Sequence, residues 1–356
     1  ANTAWDEAKG PAQSLPPTRL HRPSTDDITT AAERLHGPGA VLLVGGEALF
    51  GPLRQVAGQI AQATGCRLMA DTLVSRVARG AGTARMEQLV YPVEPKIAQL
   101  KEAQSITLVG TERPVAFFAY PGKPSTPEAA TCAITSLCSP TMDIGWTLRA
   151  LADELGLTEA SPFEPTPLVL PDVPTGELTL EKVGHALAAL LPENAIVHNE
   201  AVTSGHQILP SLQTARPFDI LGGTGGAIGL CLPCATGAAL ACPDRKVIAL
   251  TGDGSAMYTE QSLWTLAREG LDVTVIVFAN RGYQILRNEL QNVGVNQYGQ
   301  NAQAMFDMEN PTLDWVALAQ GHGVPGRRAD DMESFVSALQ AGVQGDGPSL
   351  IEVVCG

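Results

Sequence analysis

The sequence is poor in charge, in cations and in long apolar runs. Charged residues make up 17% of the 356 residues, against about 25% in average globular proteins. Lys plus Arg number 23 and Asp plus Glu number 37, which gives a net charge of −14. This shortage of cations argues against a nucleic-acid partner, because such affinity comes largely from clustered Lys and Arg. No apolar run reaches the roughly 18 residues of a membrane-spanning helix, so we expect no membrane association.

Cysteine usage points to a reducing compartment. The chain has seven cysteines, an odd number, and no secretory features, so we expect a cytoplasmic protein. Cys231 and Cys234 have the C-x-x-C spacing of redox and zinc half-sites. No second C-x-x-C or nearby His pair completes a zinc site, so the pattern favours two small apolar residues packed at the start of a helix.

Two proline-rich stretches divide the chain. Residues 1–25 contain four prolines and no apolar periodicity, and residues 161–177 contain five more, so we predict linkers at both places. The remaining ranges, 26–160 and 178–356, are each about the length of one domain. We therefore predict two folded domains.

Short apolar runs alternate with helical patterns in both predicted domains. We predict strands over 40–44, 105–109, 115–119, 131–137, 195–198, 246–250, 273–279 and 349–354. We predict helices ending near residue 64 and over 179–191, 201–212, 230–241, 259–269, 285–291, 313–320 and 331–341. Continuous apolar strands alternating with helices are typical of an α/β fold, so we predict two doubly wound parallel-sheet domains.

Polar residues follow two consecutive predicted strands of the second domain. Asp253 lies in Gly-Asp-Gly directly after one strand, and Asn280 and Gly282 directly follow the next. In a parallel sheet both positions lie at the carboxyl ends of the strands, where ligands of α/β folds bind. A carboxylate, an amide oxygen and a backbone carbonyl are ligands that suit Mg²⁺. The alternative is an ordinary Asp-Gly turn.

These two motifs resemble the thiamine diphosphate signature, in which Gly-Asp-Gly is followed by a stretch closing in Asn-Asn. The first Asn of that pair is Ala279 here, whereas the second, metal-binding one is retained as Asn280. The chain resembles acetolactate synthase-like large subunits and benzoylformate decarboxylase. Residues 117–122 resemble a segment of this family's central domain. The resemblance implies thiamine diphosphate and Mg²⁺ as cofactors, with Asp253, Asn280 and Gly282 as the metal ligands.

The resemblance also implies a set of cofactor contacts. The Gly-rich segment 222–229 resembles the segment that wraps the pyrimidine ring, with Ile228 at the position of an apolar wedge beneath the cofactor. Gly226 falls where a backbone carbonyl receives the 4′-amino group, and Thr203 where the diphosphate is contacted. The alternative for Ile228 is a buried core side chain. Further cofactor contacts are expected at Gly254, Ser255 and Tyr283.

The residues that follow the metal motif correspond to the helix that lines the substrate pocket in this family. Three of them are candidates for that pocket: Ile285, Leu286 and Glu289. Ile285 replaces a small residue of benzoylformate decarboxylase and is expected to crowd an aryl group. Glu289 stands where acetohydroxyacid synthases place a Trp that shapes the choice of acceptor. The alternative for all three is ordinary amphipathic packing. Glu200 precedes the helix that contains Thr203. A glutamate at a helix N-terminus is a simpler interpretation of this residue than a catalytic acid.

The catalytic glutamate of this family lies in a pyrimidine-binding domain that precedes the central one, so no catalytic residue is expected in this chain. The sequence begins at Ala1 without Met, and residues 1–25 resemble a linker from such a domain. We therefore expect the central and diphosphate-binding domains of a larger protein. The resemblance implies a homodimer or homotetramer with active sites between subunits.

The expected activity is decarboxylation of a small 2-oxo acid with carboligation, as in acetolactate synthase. A benzoylformate decarboxylase-like enzyme and a non-catalytic cofactor-binding homologue are the alternatives. Acetolactate synthases also carry FAD, but Gly45-Gly46 alone gives too little support for a dinucleotide site. Arg113 is a candidate for a substrate carboxylate or a flavin, and a surface ion pair is the simpler interpretation.

Overall fold

The computed structural model of the chain describes residues 6, 7 and 10–355. Of the predicted linker 1–25, residues 1–5, 8 and 9 lie outside the described residues, as does residue 356 at the end of the predicted second domain. None of the helices in the described part of the chain combines the length and the apolar character that crossing a membrane requires.

Helices and strands alternate along both parts of the chain. The strands are β1 (Ala40–Val44), β2 (Arg67–Ala70), β3 (Arg76–Arg79), β4 (Glu87–Gln88), β5 (Ser105–Val109), β6 (Ala133–Cys138), β7 (Ala195–Glu200), β8 (Phe218–Gly222), β9 (Val247–Gly252), β10 (Val273–Ala279), β11 (Gly326–Ala329) and β12 (Ser349–Val354). The helices are α1 (Thr25–Leu35), α2 (Gly51–Thr64), α3 (Val93–Leu100), α4 (Ile144–Glu154), α5 (Leu180–Leu190), α6 (Val202–Ile208), α7 (Cys231–Ala241), α8 (Asp253–Ala256), α9 (Ser262–Glu269), α10 (Gln284–Asn292), α11 (Gln300–Phe306), α12 (Trp315–Gly321) and α13 (Met332–Gln344).

The first sheet is parallel throughout, in the order β4-β2-β1-β5-β6. Successive side chains of a strand point to opposite faces. Leu42 and Val44 of β1 therefore pack with α1, α2 and α4, whereas Val41 and Leu43 pack on the α3 face. Burial on both faces explains why β1 is continuously apolar.

The second sheet follows the order β11-β12-β10-β9-β7-β8-β3. Helices α5, α6 and α13 cover one face, and α7, α9 and α12 cover the other. β8 follows β7 in the chain and lies on one side of it, whereas β9 lies on the other side. The strand order therefore reverses between β7 and β9. Ligands of open α/β sheets bind at such a point, outside the carboxyl ends of the strands. The two doubly wound α/β sheets that the sequence predicted are confirmed.

The edge strand β3 is an addition that the sequence did not predict. It lies within the range 26–160 but pairs antiparallel with β8 of the second sheet, which makes that sheet mixed. Arg76 of β3 forms an ion pair with Asp219 of β8 at 3.0 Å. The four-residue strand contains two arginines and is mostly half-buried, so it lacks the apolar run that marks a central strand such as β1.

The strand predicted over 115–119 is wrong. These residues form an irregular loop between β5 and β6, flanked by Pro114 and Pro121. Both edges of β5 are already paired, with β1 and β6, so the sheet has no position for another strand there. The predicted linker over 161–177 contains no helix and no strand, while the division into two domains stays a prediction.

Candidate functional site

Asp253 is the first residue after β9, at the reversal point of the second sheet. Its side chain is buried, with 4% of the residue exposed. Oδ1 accepts a hydrogen bond from the Gly254 backbone N–H at 2.8 Å, and Oδ2 accepts one from the Arg281 N–H at 2.7 Å. Because β9 and β10 are neighbours in the sheet, this second bond joins Asp253 to the turn that contains Asn280.

The turn after β10 presents oxygen atoms at the same edge. Asn280 is half-buried, and its Oδ1 accepts a hydrogen bond from the Gly282 N–H at 3.2 Å. Arg281 adopts a φ of +56°, a left-handed conformation that is uncommon for a residue with a side chain. A Cβ atom on Gly282 would lie 2.9 Å from the carbonyl oxygen of Phe306, so the position excludes a side chain. The fold thus brings together Asp253, Asn280 and Gly282.

The electrostatics of Asp253 favour a cation. None of the ion pairs among the described residues includes this carboxylate. Burial, and to a smaller extent the Glu352 carboxylate, raises the pKa of Asp253. A buried charge without a partner is costly, and one carboxylate, the Asn280 amide oxygen and the Gly282 carbonyl form a hard oxygen set that fits Mg²⁺. Elsewhere in the described residues, no group of three His, Cys, Asp or Glu side chains offers another metal site.

A Gly-rich loop over 222–229 borders the site between β8 and α7. Gly226 and Gly229 adopt φ values of +71° and +86°, which favour glycine. A Cβ atom on Gly229 would lie 2.6 Å from the Cβ atom of Tyr258, so the loop also needs glycine for close packing. Ile228 lies between them with 38% of its surface exposed. The alternative of a buried core isoleucine is therefore wrong.

Glu200 holds this loop in place. The carboxylate is buried, and Oε1 accepts a hydrogen bond of 2.7 Å from the Leu230 N–H, directly before α7. Thr251 Oγ1 donates a longer bond of 3.4 Å to Oε2, and burial raises the pKa of Glu200. Glu200 thus serves a helix N-terminus, as the sequence suggested, but that of α7 rather than that of the helix following it in the chain.

We expect Glu200→Ala to lower the free energy of unfolding by about 1–3 kcal/mol, because it leaves the half-buried Leu230 N–H without an acceptor. Glu200→Gln keeps an acceptor oxygen and should lose about half as much or less. Urea unfolding followed by circular dichroism measures both, with the exposed Glu193→Ala as the matched control. An alanine variant as stable as that control would contradict this role.

The other predicted cofactor residues lie at the same edge of the sheet. Thr203 is half-buried near the start of α6, after Val202, whose φ of +41° is unusual for a β-branched residue. Ser255 is buried in α8. The Tyr283 ring covers Gly254 so closely that a Cβ atom there would lie 2.5 Å from Cε1. The backbone at Gly254 therefore has to remain free of a side chain.

Helix α10 carries the predicted substrate residues. Ile285 and Glu289 are half-buried and Leu286 is 43% exposed, and α10 buries none of its residues. Its apolar side chains are therefore not part of a core. Glu289 has a partner that sequence reasoning missed, because the Tyr120 hydroxyl donates a hydrogen bond of 2.7 Å to Oε2. In the sequence, the one feature that points to this contact is the aromatic segment 117–122.

Two other candidates have structural partners. Nε of Arg113 donates a 2.8 Å hydrogen bond to the buried carboxylate of Glu128, so the simpler interpretation as an ion pair is confirmed. Cys231 is buried, with its thiol directed at two backbone carbonyls, whereas Cys234 is exposed. The seven cysteines are all free. The apolar interpretation of the C-x-x-C pair thus holds for Cys231 only.

Comparison with known proteins shows which family the chain resembles. Residues 202–353 match the family described as thiamine pyrophosphate enzyme, C-terminal TPP binding domain. The chain is 41% identical over 356 residues to "Putative acetolactate synthase large subunit IlvX" of Mycobacterium tuberculosis, with 99% of this chain and 68% of that protein covered. It is 32% identical over 216 residues to benzoylformate decarboxylase of Pseudomonas aeruginosa, covering 59% and 39% of the two chains.

Solved structures share the fold. The 4-hydroxybenzoylformate decarboxylase of Rhodococcus jostii RHA1 superposes with a TM-score of 0.77 at 24% identity, covering 97% of this chain and 66% of that one. The benzoylformate decarboxylase of Polynucleobacter necessarius gives a TM-score of 0.75 at 19% identity, covering 99% and 68%. The present chain thus spans about two thirds of the length of these relatives.

Proposed function

Because the chain belongs to the family of thiamine-diphosphate-dependent enzymes that includes acetolactate synthase large subunits, we propose that it takes part in Mg²⁺-dependent decarboxylation of a 2-oxo acid with carboligation. The observation that carries the proposal is the 2.7 Å hydrogen bond between Asp253 Oδ2 and the Arg281 N–H. This bond joins two strand ends into one oxygen-lined corner beside the Gly-rich loop.

The chain's own residues divide into those for the metal and those for the organic part of the cofactor. Asp253, Asn280 and Gly282 would hold Mg²⁺, and phosphate and water would complete its octahedron. Thr203 and Ser255 would approach the diphosphate. The short helix α8 and the absence of a side chain at Gly254 leave backbone close to that position. A diphosphate can thus be held without a basic patch, which agrees with the acidic composition.

Orientation of the reactive part of the cofactor would fall to the Gly-rich loop. When bound, thiamine diphosphate supplies the carbon nucleophile that adds to the 2-oxo group and accepts the electron pair released with CO₂. We propose that the Gly226 carbonyl accepts a hydrogen bond from the 4′-amino group and that Ile228 supports the bent conformation. We assign the proton-transferring glutamate to a domain outside these 356 residues.

The fate of the substrate after loss of CO₂ separates the candidate activities. Protonation releases an aldehyde, as in benzoylformate decarboxylase, whereas addition to a second 2-oxo acid gives an acetohydroxy acid. The 41% identity to the acetolactate synthase-like relative over nearly the whole chain favours the second outcome. The substrate pocket would be lined by Ile285, Leu286 and Glu289.

We expect the full-length protein, supplied with thiamine diphosphate and Mg²⁺, to release CO₂ from a 2-oxo acid. Pyruvate and benzoylformate are tested separately, with CO₂ measured by a coupled assay and products by chromatography. An acetohydroxy acid supports carboligation, and an aldehyde alone supports the benzoylformate decarboxylase-like activity. Absence of CO₂ from both acids, together with unaltered cofactor binding, would favour a non-catalytic cofactor-binding homologue.

Three further assignments belong to this proposal. We propose a homodimer or homotetramer with active sites between subunits, which the exposed aromatic residues Tyr258 and Trp264 support. Seven free cysteines support a cytoplasmic location. FAD has no comparable support, because Gly45-Gly46 alone is too short a signal for a dinucleotide site.

A further inference from the structure

An aromatic loop from the first half of the chain reaches the candidate site in the second half. We define the aromatic loop as residues 115–122, which contain Phe117, Phe118 and Tyr120. The Phe117 ring lies against Gly226, where a Cβ atom would be 2.9 Å from Cζ. At the other end of the loop, Tyr120 donates its 2.7 Å hydrogen bond to Glu289 on α10. The aromatic loop therefore bridges the Gly-rich loop and the predicted substrate helix.

The rings of this loop form a continuous series. Phe117 and Phe118 lie with their centroids 4.9 Å apart, and Phe118 and Tyr120 6.4 Å apart, both pairs in edge-to-face geometry. Tyr91, outside the loop, lies 5.7 Å from Phe117 and extends the series. Edge-to-face pairs at these separations are favourable arrangements. The series thus forms one wall rather than separate side chains.

The loop is fixed although its rings are uncovered. The buried Lys96 donates a hydrogen bond of 3.1 Å to the Val115 carbonyl, and the Ala116 N–H donates one of 2.7 Å to the Ser125 carbonyl. Yet Phe117 is 40% exposed and Phe118 is 49% exposed. Large apolar side chains that are held in place beside the Gly-rich loop and are not covered by the core are suited to contact an apolar ligand group.

The negative charge of Glu289, at the Tyr120 end of this wall, determines which part of a substrate lies against the aromatic rings. Glu289 takes part in none of the ion pairs found among the described residues, and the Tyr120 hydroxyl is its nearest strong donor. Lys123, which lies 5.0 Å over the Tyr120 ring, is paired with Glu94 at 2.7 Å. An unpaired carboxylate repels the carboxylate of a 2-oxo acid. The carboxylate of the substrate is therefore directed away from this wall, and the side chain of the substrate is directed toward the wall.

We propose, on the basis of the proposed function, that Phe117 and Phe118 are specificity-determining residues that receive the substrate's side chain. The substrate class is then 2-oxo acids with an apolar side chain larger than the methyl group of pyruvate. Tyr120 acts as a positioning residue for Glu289, and Phe117 and Phe118 supply the apolar contact.

The test compares 4-methyl-2-oxopentanoate with pyruvate as substrates of the full-length protein with thiamine diphosphate and Mg²⁺. We expect kcat/KM to favour the larger acid by about tenfold or more, since each buried methylene is worth about 10- to 200-fold in such pockets. Phe117→Ala should remove most of this preference, whereas the exposed Leu168→Ala should retain it. Equal values for the two acids, or an unchanged preference in Phe117→Ala, would overturn the inference.

Binding without turnover gives an independent measurement. Calorimetry with lactate and 2-hydroxy-4-methylpentanoate, which cannot lose CO₂ in this reaction, should show the same preference in Kd and its loss in Phe117→Ala. If CO₂ is released but pyruvate is preferred, the specificity inference fails and the proposed function stands. If neither 2-oxo acid releases CO₂ and neither 2-hydroxy acid binds, the proposed function fails as well.

The positioning role of Tyr120 has its own test. Tyr120→Phe keeps the ring but frees the Glu289 carboxylate, so we expect KM for both acids to rise about fivefold or more while kcat changes little. Adding Glu289→Gln removes the repelling charge and should restore KM, a rescue that a purely structural defect would not show. Tyr298→Phe, at the 5.5 Å ring pair with Phe306, is the matched control. A double variant with KM as high as that of Tyr120→Phe would overturn this role.

Discussion

Asp253→Asn is expected to abolish Mg²⁺-dependent binding of thiamine diphosphate to the full-length protein while the chain stays folded. The variant replaces a negatively charged oxygen pair by one neutral oxygen at the centre of the proposed metal site. Even residues that only orient metal ligands are worth about 10- to 100-fold in affinity, so loss of a charged ligand should cost about 100-fold or more. Tryptophan fluorescence titrated with cofactor at several Mg²⁺ concentrations measures the loss.

The fold should survive because the charge of Asp253 is not what stabilises it. The carboxylate lies in no ion pair within the described part of the chain, and burial disfavours its charged form. The asparagine oxygen can still accept one of the two N–H groups, from Gly254 or Arg281. Losing the other should cost about 1–2 kcal/mol, which thermal unfolding detects.

Asp244→Asn supplies the matched control, since it removes the same charge from an exposed position. This control should bind Mg²⁺ and cofactor like the unaltered protein. Mg²⁺-dependent binding that persists in Asp253→Asn would remove the metal assignment, and with it the main support for the proposed function. Circular dichroism distinguishes the expected result, a folded variant that does not bind the cofactor, from a variant that fails to bind because it is unfolded.

Much of the architecture was accessible from the sequence because the central strands are buried on both faces. β1 is a continuous apolar run and β10 is apolar except for Thr274, and their predicted and observed bounds coincide at Ala40–Val44 and Val273–Ala279. Parallel strands place their carboxyl ends at one edge. That rule brought Asp253 and Asn280 together from sequence order alone, and the Arg281 N–H bond to Asp253 agrees with it.

The apolar run at 115–119 led to an error for a physical reason. An apolar run indicates that its side chains are shielded from water. It does not indicate whether the protein core or a ligand shields them. In this loop the aromatic rings lie against Gly226 and at the rim of the candidate site, 40–49% exposed at Phe117 and Phe118, instead of entering a sheet. Pattern alone cannot distinguish a strand in a core from a wall prepared for a ligand.

Contacts between distant parts of the chain were also beyond prediction. The bond from Tyr120 to Glu289 spans 169 residues, and the ion pair between Arg76 and Asp219 spans 143. Neither residue pair has a local signal, because a polar side chain in a loop, on a helix surface or on a strand near a sheet edge is compatible with solvent exposure. These contacts depend on how the two sheets are placed against each other, which secondary-structure patterns do not determine.

Ile228→Ala provides the sharpest test of the Gly-rich loop. The side chain is uncovered, yet its backbone is held on both sides, by the left-handed Gly226 before it and by the close packing of Gly229 on Tyr258 after it. Thr259 Oγ1 donates a 2.9 Å hydrogen bond to the Gly229 carbonyl and strengthens this anchoring. A rigidly held apolar side chain that contributes to no core is suited to support a ligand in one conformation.

We therefore expect Ile228→Ala to lower kcat of the full-length protein by about 100-fold, since misplacing reacting groups by about 1 Å costs that much. The Kd for the cofactor should rise by less than kcat falls, at most about 60-fold, because the truncation removes three carbon atoms at about 0.8 kcal/mol each. Ile228→Leu should restore most of the activity, and thermal unfolding should match that of Leu168→Ala, a similar truncation at an exposed site. If kcat is unchanged and only Kd rises, Ile228 contacts the cofactor without shaping it, and the wedge role is lost while the metal site stands.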